Sequence, residues 1–125
     1  MIKTEEEVEV FLDKIHAIIE EDERNLVLLG RTKGLDKTDV FMKEYNIKHK
    51  MICDELLKLS VLNYSYTEYD DNPKWKHEEI WVFGKFFMVE GIECNETIYI
   101  KLKLRNNVIC MSFHPQVFSL KYPYL

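Results

Sequence analysis

Between Ile98 and Arg105 the side chains alternate without a break, Ile98, Ile100, Leu102 and Leu104 against Tyr99, Lys101, Lys103 and Arg105. A period of two is what a strand with one buried face requires, and a helix does not satisfy it. Asn106-Asn107 follows, two residues that tolerate positive φ and so suit a two-residue hairpin turn, and residues 108–113 run back. That turn predicts Arg105 opposite Val108. Counting outward, Lys103 falls opposite Cys110, Lys101 opposite Ser112 and Tyr99 opposite His114. The polar face of the hairpin then gathers a tyrosine, a histidine, a serine and lysines beside a tail that carries Lys121, Tyr122 and Tyr124.

The residues before the hairpin read as helices and strands that can cover its apolar face. Thr4 and Glu7 form a capping box, and Val8, Phe11, Leu12, Ile15, Ile18 and Ile19 recur at the helical period to about Glu23. His16 is expected at the edge of that stripe. Residues 25–29 form a short apolar strand bounded by Gly30 and Gly34, a turn whose spacing does not match a phosphate loop. Asp36 or Thr38 caps a short helix through Val40, Phe41 and Tyr45, Asn46 is a stop, and a further helix covers about 48–59 with Met51, Ile52, Leu56 and Leu59 inside and His49 exposed. Residues 60–72 carry three tyrosines and three acids and read as an irregular loop. After Pro73, an aromatic strand runs from Glu79 to Met88 with Ile80 and Val82 on one face and Trp81, Phe83 and Lys85 on the other. Gly84 in its interior marks a bulge or a close approach. The expectation is an α+β fold, helices packed on one face of a small antiparallel sheet that ends in a β-hairpin, in one domain spanning residues 1–125.

Charge and cysteine usage narrow the classes of function. The chain carries 17 Lys and Arg against 22 Asp and Glu, a net of −5, with residues 1–72 at −7 and residues 73–125 at +2. An acidic protein binds nucleic acid only through a local basic surface, because phosphate neutralisation dominates affinity, and the hairpin is the candidate for that surface. Cys53, Cys94 and Cys110 are odd in number and contain no CxxC pair, which argues against a disulfide framework and a zinc site. Cys53 reads as a helix core residue and Cys110 as a small filler on the polar face. No cofactor or metal is called for. The acidic start and the lack of a long apolar run predict a cytoplasmic protein with no membrane partner.

Several short blocks occur in order: LSVLNY at 59–64, EIWVFGK at 79–85, IYIKLKL at 98–104, VICMSFHP at 108–115 and LKYPY at 120–124. Together they resemble the MqsR family of bacterial toxins, small RelE-like endoribonucleases encoded beside an antitoxin. The resemblance covers about residues 47–125. It implies a RelE-like fold, metal-independent mRNA cleavage in which the RNA 2′-hydroxyl attacks its own phosphate, and a cognate antitoxin as partner. Tyr99 takes the place of a functional tyrosine, and His114 falls where members carry a lysine or histidine after the Ser-Phe pair. Two positions depart from the family pattern: a lysine of the earlier loop is replaced near Tyr66, and a glutamine used by some members corresponds to about Val82.

Cleavage of this kind needs a base for the 2′-hydroxyl, a cation for the phosphate oxygens and an acid for the 5′-oxygen. His114 and Tyr99 are the candidate catalytic pair, and Lys101, Lys103, Lys85, Lys121 and Ser112 the candidates for holding the phosphate. A different class of function is also open. Nine carboxylates and one lysine between Thr4 and Glu23 imitate a nucleic-acid backbone, which suits a non-catalytic inhibitor of a host nucleic-acid-binding protein or defence nuclease. A third possibility is a toxin fold kept only to bind an antitoxin or DNA.

Overall fold

The computed structural model describes residues 1–29, 36–87 and 97–125. The expected turn at Gly30–Gly34, the connection at 91–95 and Cys94 lie outside the described residues. The first helix, α1 (Glu5–Glu21), starts where the capping box puts it. The Thr4 hydroxyl accepts from the Glu7 amide at 3.2 Å and the Glu7 carboxylate accepts from the Thr4 amide at 3.0 Å. Val8, Phe11, Leu12, Ile15 and Ile19 are its buried stripe. After β1 (Leu26–Leu28), α2 (Lys37–Glu44) is capped by Asp36, whose carboxylate accepts from the amides of Thr38 and Asp39. The chain turns at Asn46 with φ of 52°, a conformation asparagine tolerates, and α3 (His49–Leu57) follows.

The remaining chain is sheet: β2 (Tyr64–Tyr69), β3 (Glu79–Phe86), β4 (Thr97–Leu104) and β5 (Val108–Pro115). The strand β2 corrects the expectation of an irregular loop at 60–72. Tyrosine and threonine favour a pleated, half-buried surface, and Tyr64 and Thr67 turn inward while Tyr66 and Glu68 face out across a bulge. The order of strands is β1-β5-β4-β3-β2, and β1 runs parallel to β5. The architecture is therefore α+β, with three α-helices and a mixed five-stranded sheet among the described residues, antiparallel only from β2 to β5. Among the described residues two α-helices and three strands lie between β1 and β5, and that length of chain permits a parallel return that no tight turn allows.

All three helices bury side chains in one core with Trp81, Phe83, Ile98, Ile100, Leu102 and Phe113. Phe11 lies flat on Trp81 with ring centroids 4.2 Å apart. Burying such a ring stabilises by roughly 1.5–3 kcal/mol, and the aromatic pairing adds about 0.5–1.5 kcal/mol. His16 donates to the Leu56 carbonyl at 2.8 Å from the edge of the α1 stripe. His49, expected on the surface, is half-buried and bonds the Leu26 carbonyl at 2.7 Å, tying α3 to β1.

The β4–β5 register differs from expectation near the turn and agrees with it farther out. The connection holds three residues, Arg105 to Asn107, so Leu104 pairs Val108 and Leu102 pairs Cys110. Cys110 consequently sits in the core, 2% exposed, and not on the polar face. An extra residue in β5 at Met111 then restores the count, so that Lys101 faces Ser112 and Tyr99 faces His114.

The segment carrying Leu120 and Tyr122 crosses the sheet face opposite the helices, and Tyr124 reaches the core beside Tyr64. Leu120 and Tyr122 lie over Gly84, where an added Cβ would stand 2.2 Å from the Tyr122 hydroxyl. The close approach expected at Gly84 is thus made by two tail side chains. Ser65 donates to the Lys121 carbonyl at 2.7 Å, and Tyr124 donates to the Lys3 carbonyl and stacks on Tyr64. Met1 exchanges two hydrogen bonds with the backbone of Thr67 and so covers the β2 edge.

Candidate functional site

The alternation of β4 sends Tyr99, Lys101 and Lys103 to the face away from the helices, and the restored register sets Ser112 and His114 of β5 beside them. The rings of Tyr99 and His114 have centroids 5.6 Å apart, and each residue is 8% exposed. His114 Nδ1 stands 2.9 Å from the Pro115 carbonyl oxygen. A carbonyl only accepts, so Nδ1 carries the hydrogen in that bond and proton exchange in the neutral ring falls to Nε2. On the β2 side the Tyr66 and Tyr99 hydroxyls are 3.4 Å apart. Burial, and next the bond to Tyr99, push the Tyr66 hydroxyl upward, so it stays protonated at neutral pH.

A cavity of about 210 Å³ opens over this pair. Tyr99, Lys101, Ser112 and His114 form its floor, Lys37 and Thr38 its wall from the start of α2, and Val117 and Phe118 its rim from the tail. The wall is fixed because the Thr38 hydroxyl accepts from the Phe113 amide at 2.9 Å, which docks the first turn of α2 on β5. Lys37 was invisible in the sequence as a site residue. It looks like any exposed first-turn lysine, and only the docking of α2 brings it to His114.

The candidate phosphate-holding residues separate. Lys101 and Ser112 line the cavity, with the Lys101 ammonium 3.5 Å from Glu68 and 5.8 Å from the centre of the Tyr99 ring. Lys103 does not serve there. It is 3% exposed, with its ammonium 2.5 Å from Asp70 and 3.5 Å from Glu78, and Glu78 in turn takes two bonds from Arg105. Trp75 lies against this group, 4.5 Å from the Arg105 guanidinium carbon. Lys85 points to the helix side of the sheet, where it meets Glu55 of α3 at 3.6 Å. Lys121 is exposed and lines a separate groove with Tyr66 and Phe118. The lysines of the hairpin's polar face are partly offset, because the β2–β3 segment brings Glu68, Asp70 and Glu78 against it.

Val82, at one of the two departing positions, is fully buried in a small apolar cluster with Ile80 and Tyr99. Among the described residues no group of three or more His, Cys, Asp or Glu side chains is arranged to hold a metal ion. Among them, too, no helix is long and apolar enough to cross a membrane. A larger groove of about 680 Å³ runs between α1 and the β3–β4 side of the sheet, with Lys3, Lys14, His77 and Glu79 along it. It shares no lining residue with the cavity over the Tyr99–His114 pair.

Compared with known proteins, the chain matches no family model, no curated protein and no solved structure. A histidine able to take a proton, two tyrosine hydroxyls able to give or orient one, and two lysines around a small cavity are the parts that intramolecular phosphoryl transfer uses.

Proposed function

We propose that the protein is a toxin-like endoribonuclease that cleaves single-stranded mRNA by attack of a ribose 2′-hydroxyl on the adjacent phosphate. The observation that carries the reading is the Tyr99–His114 pair, set across β4 and β5 in the cavity that Lys101 and Lys37 flank. In the proposed step His114 Nε2 takes the 2′-hydroxyl proton, the O2′–P bond forms and the P–O5′ bond breaks. The departing 5′-oxygen receives a proton from the Tyr99 hydroxyl, which is held by Tyr66, and Lys101 and Lys37 offset the charge on the phosphate oxygens. The products are a 2′,3′-cyclic phosphate and a 5′-hydroxyl.

The finer description of the fold as RelE-like, the cytoplasm as the place of action and a cognate antitoxin as partner belong to the same proposal. It is supported by where two of the MqsR-like blocks fall: on β4 and β5, the strands that supply Tyr99, Lys101, Met111, Ser112 and His114 to the cavity. A second reading, the non-catalytic inhibitor, is favoured by the exposure of Glu5, Glu6, Glu9, Asp13, Glu20 and Glu21 along α1.

One experiment separates them. Wild-type protein and His114→Ala are incubated with single-stranded RNA in EDTA. The expected result is cleavage leaving 5′-hydroxyl ends, reduced on the order of 10²- to 10⁴-fold in the variant. Absence of cleavage by folded wild-type protein sinks the ribonuclease reading and leaves the acidic helix as the surface to test against nucleic-acid-binding partners.

A further inference from the structure

The cavity over Tyr99 and His114, at about 210 Å³, is below the ~300–1,000 Å³ of sites that enclose a drug-sized ligand. It accepts a phosphate with part of a ribose, and a nucleobase attached to that ribose must lie at the rim. The rim carries Phe118, a phenyl ring 50% exposed beside the still more open Val117. An exposed phenylalanine gains nothing from water, yet this one is held in a fixed place. Its ring meets the Tyr99 ring edge-on at 5.6 Å and 64°. The chain before it is pinned by the Gln116 amide donating to the Thr97 carbonyl at 2.9 Å, and the chain after it by Leu120 and Tyr122 over Gly84 and by the Ser65 bond to Lys121. A pre-positioned ring beside two lysines is the arrangement by which proteins hold single strands. Lysines follow the backbone and an aromatic face takes a base, whatever its identity.

We infer that Phe118 is the stacking platform for the base next to the scissile phosphate, which makes an unpaired nucleotide the recognised unit. The inference rests on the ribonuclease reading for where the phosphate sits. A base inside a duplex is already stacked on both faces, so Phe118 discriminates single-stranded from double-stranded RNA without reading sequence.

The test uses a fluorescently labelled 2′-fluoro oligoribonucleotide of mixed sequence, which lacks the attacking hydroxyl, and measures binding by anisotropy for wild type, Phe118→Ala, Phe118→Leu and Phe118→Trp. Near-ultraviolet circular dichroism confirms that each is folded. Stacking on one base is lost in Phe118→Ala and mostly lost in Phe118→Leu, a weakening of roughly 10- to 100-fold, while Phe118→Trp binds as wild type or better. The same sequence annealed to its complement binds more weakly than the single strand. Equal binding by Phe118→Ala overturns the inference. So does full binding by Phe118→Leu, because leucine covers Tyr99 as well as phenylalanine does but offers no aromatic face, and so does failure of wild type to bind the oligonucleotide. Phe118-dependent binding without cleavage of unmodified RNA supports the stacking platform and refutes the ribonuclease reading alone.

Discussion

Lys103 gives the sharpest test of how the open face of the sheet is built. Its side chain is 4% exposed and that of its partner Asp70 10% exposed, so Lys103→Met strands a carboxylate largely removed from water. Breaking a buried pair costs about 3–5 kcal/mol, whereas losing an exposed one costs about 0–1 kcal/mol. Asp70 keeps the Asn72 amide as a donor and Glu78 keeps Arg105, which lowers the expected loss to about 2–4 kcal/mol. At roughly 4 °C per kcal/mol for a chain of this size, Tm falls by about 8–16 °C. The double variant Lys103→Met/Asp70→Asn removes the stranded charge, keeps an acceptor for the Asn72 amide and recovers more than half of the loss. Urea unfolding at pH 7 measures both. A single variant as stable as wild type, or a double variant no better than the single, refutes the burial argument. In RNA binding the double variant should match wild type, because Lys103 faces Asp70 and not the cavity, while Lys101→Ala should bind more weakly.

Other outcomes follow from the same contacts. Burial raises Asp70, but the Lys103 bond and the Asn72 amide outweigh it and hold its carboxyl below the ordinary range, and Arg105 does the same for Glu78. Carboxyls depressed in the fold contribute stability above the unfolded range near 4 that is lost as pH falls through the folded values, so urea midpoints should drop from pH 5 towards pH 3. Thr4→Ala removes the α1 cap and should cost about 1 kcal/mol, with no cost at all ruling out the capping box in solution. Gly84→Ala places a methyl against the far ends of Tyr122 and Leu120, side chains that can shift. A loss of about 1 kcal/mol is expected, with faster proteolysis after Lys121 as the tail lifts. Burial pushes the Cys53 thiol up to about 11 and the Cys110 thiol up to about 12, so neither should react with a disulfide reagent at pH 8 until the protein is denatured.

Local patterns made much of the fold legible. The capping box, the helical stripe of α1 and the alternation of β4 are each set by neighbours in sequence, and each appears where its period places it. The β2 strand was hidden because its tyrosines and acids look like a loop when composition is weighed ahead of alternation. The facing of Tyr99 and His114 emerged from the sequence through two offsets that cancel: a turn one residue longer than expected, and one extra residue at Met111. Cys110 lies between those offsets and shows the difference, since it points inward where an uninterrupted ladder would turn it out.

What the sequence by itself determined was the helices with their buried stripes, the strands other than β2, and which residues share the outer face of β4. Those follow from periodicity and from chemistry carried by adjacent residues. The tertiary structure alone decided which of those residues are available. Lys103 is neutralised by Asp70 and Glu78 from the distant β2–β3 segment, Lys85 is turned to Glu55 of α3, and Lys37 is brought to His114 by the docking of α2. A charge acquires its partner from whichever segment packs against it, and packing of segments 25 to 75 residues apart is written in no local pattern.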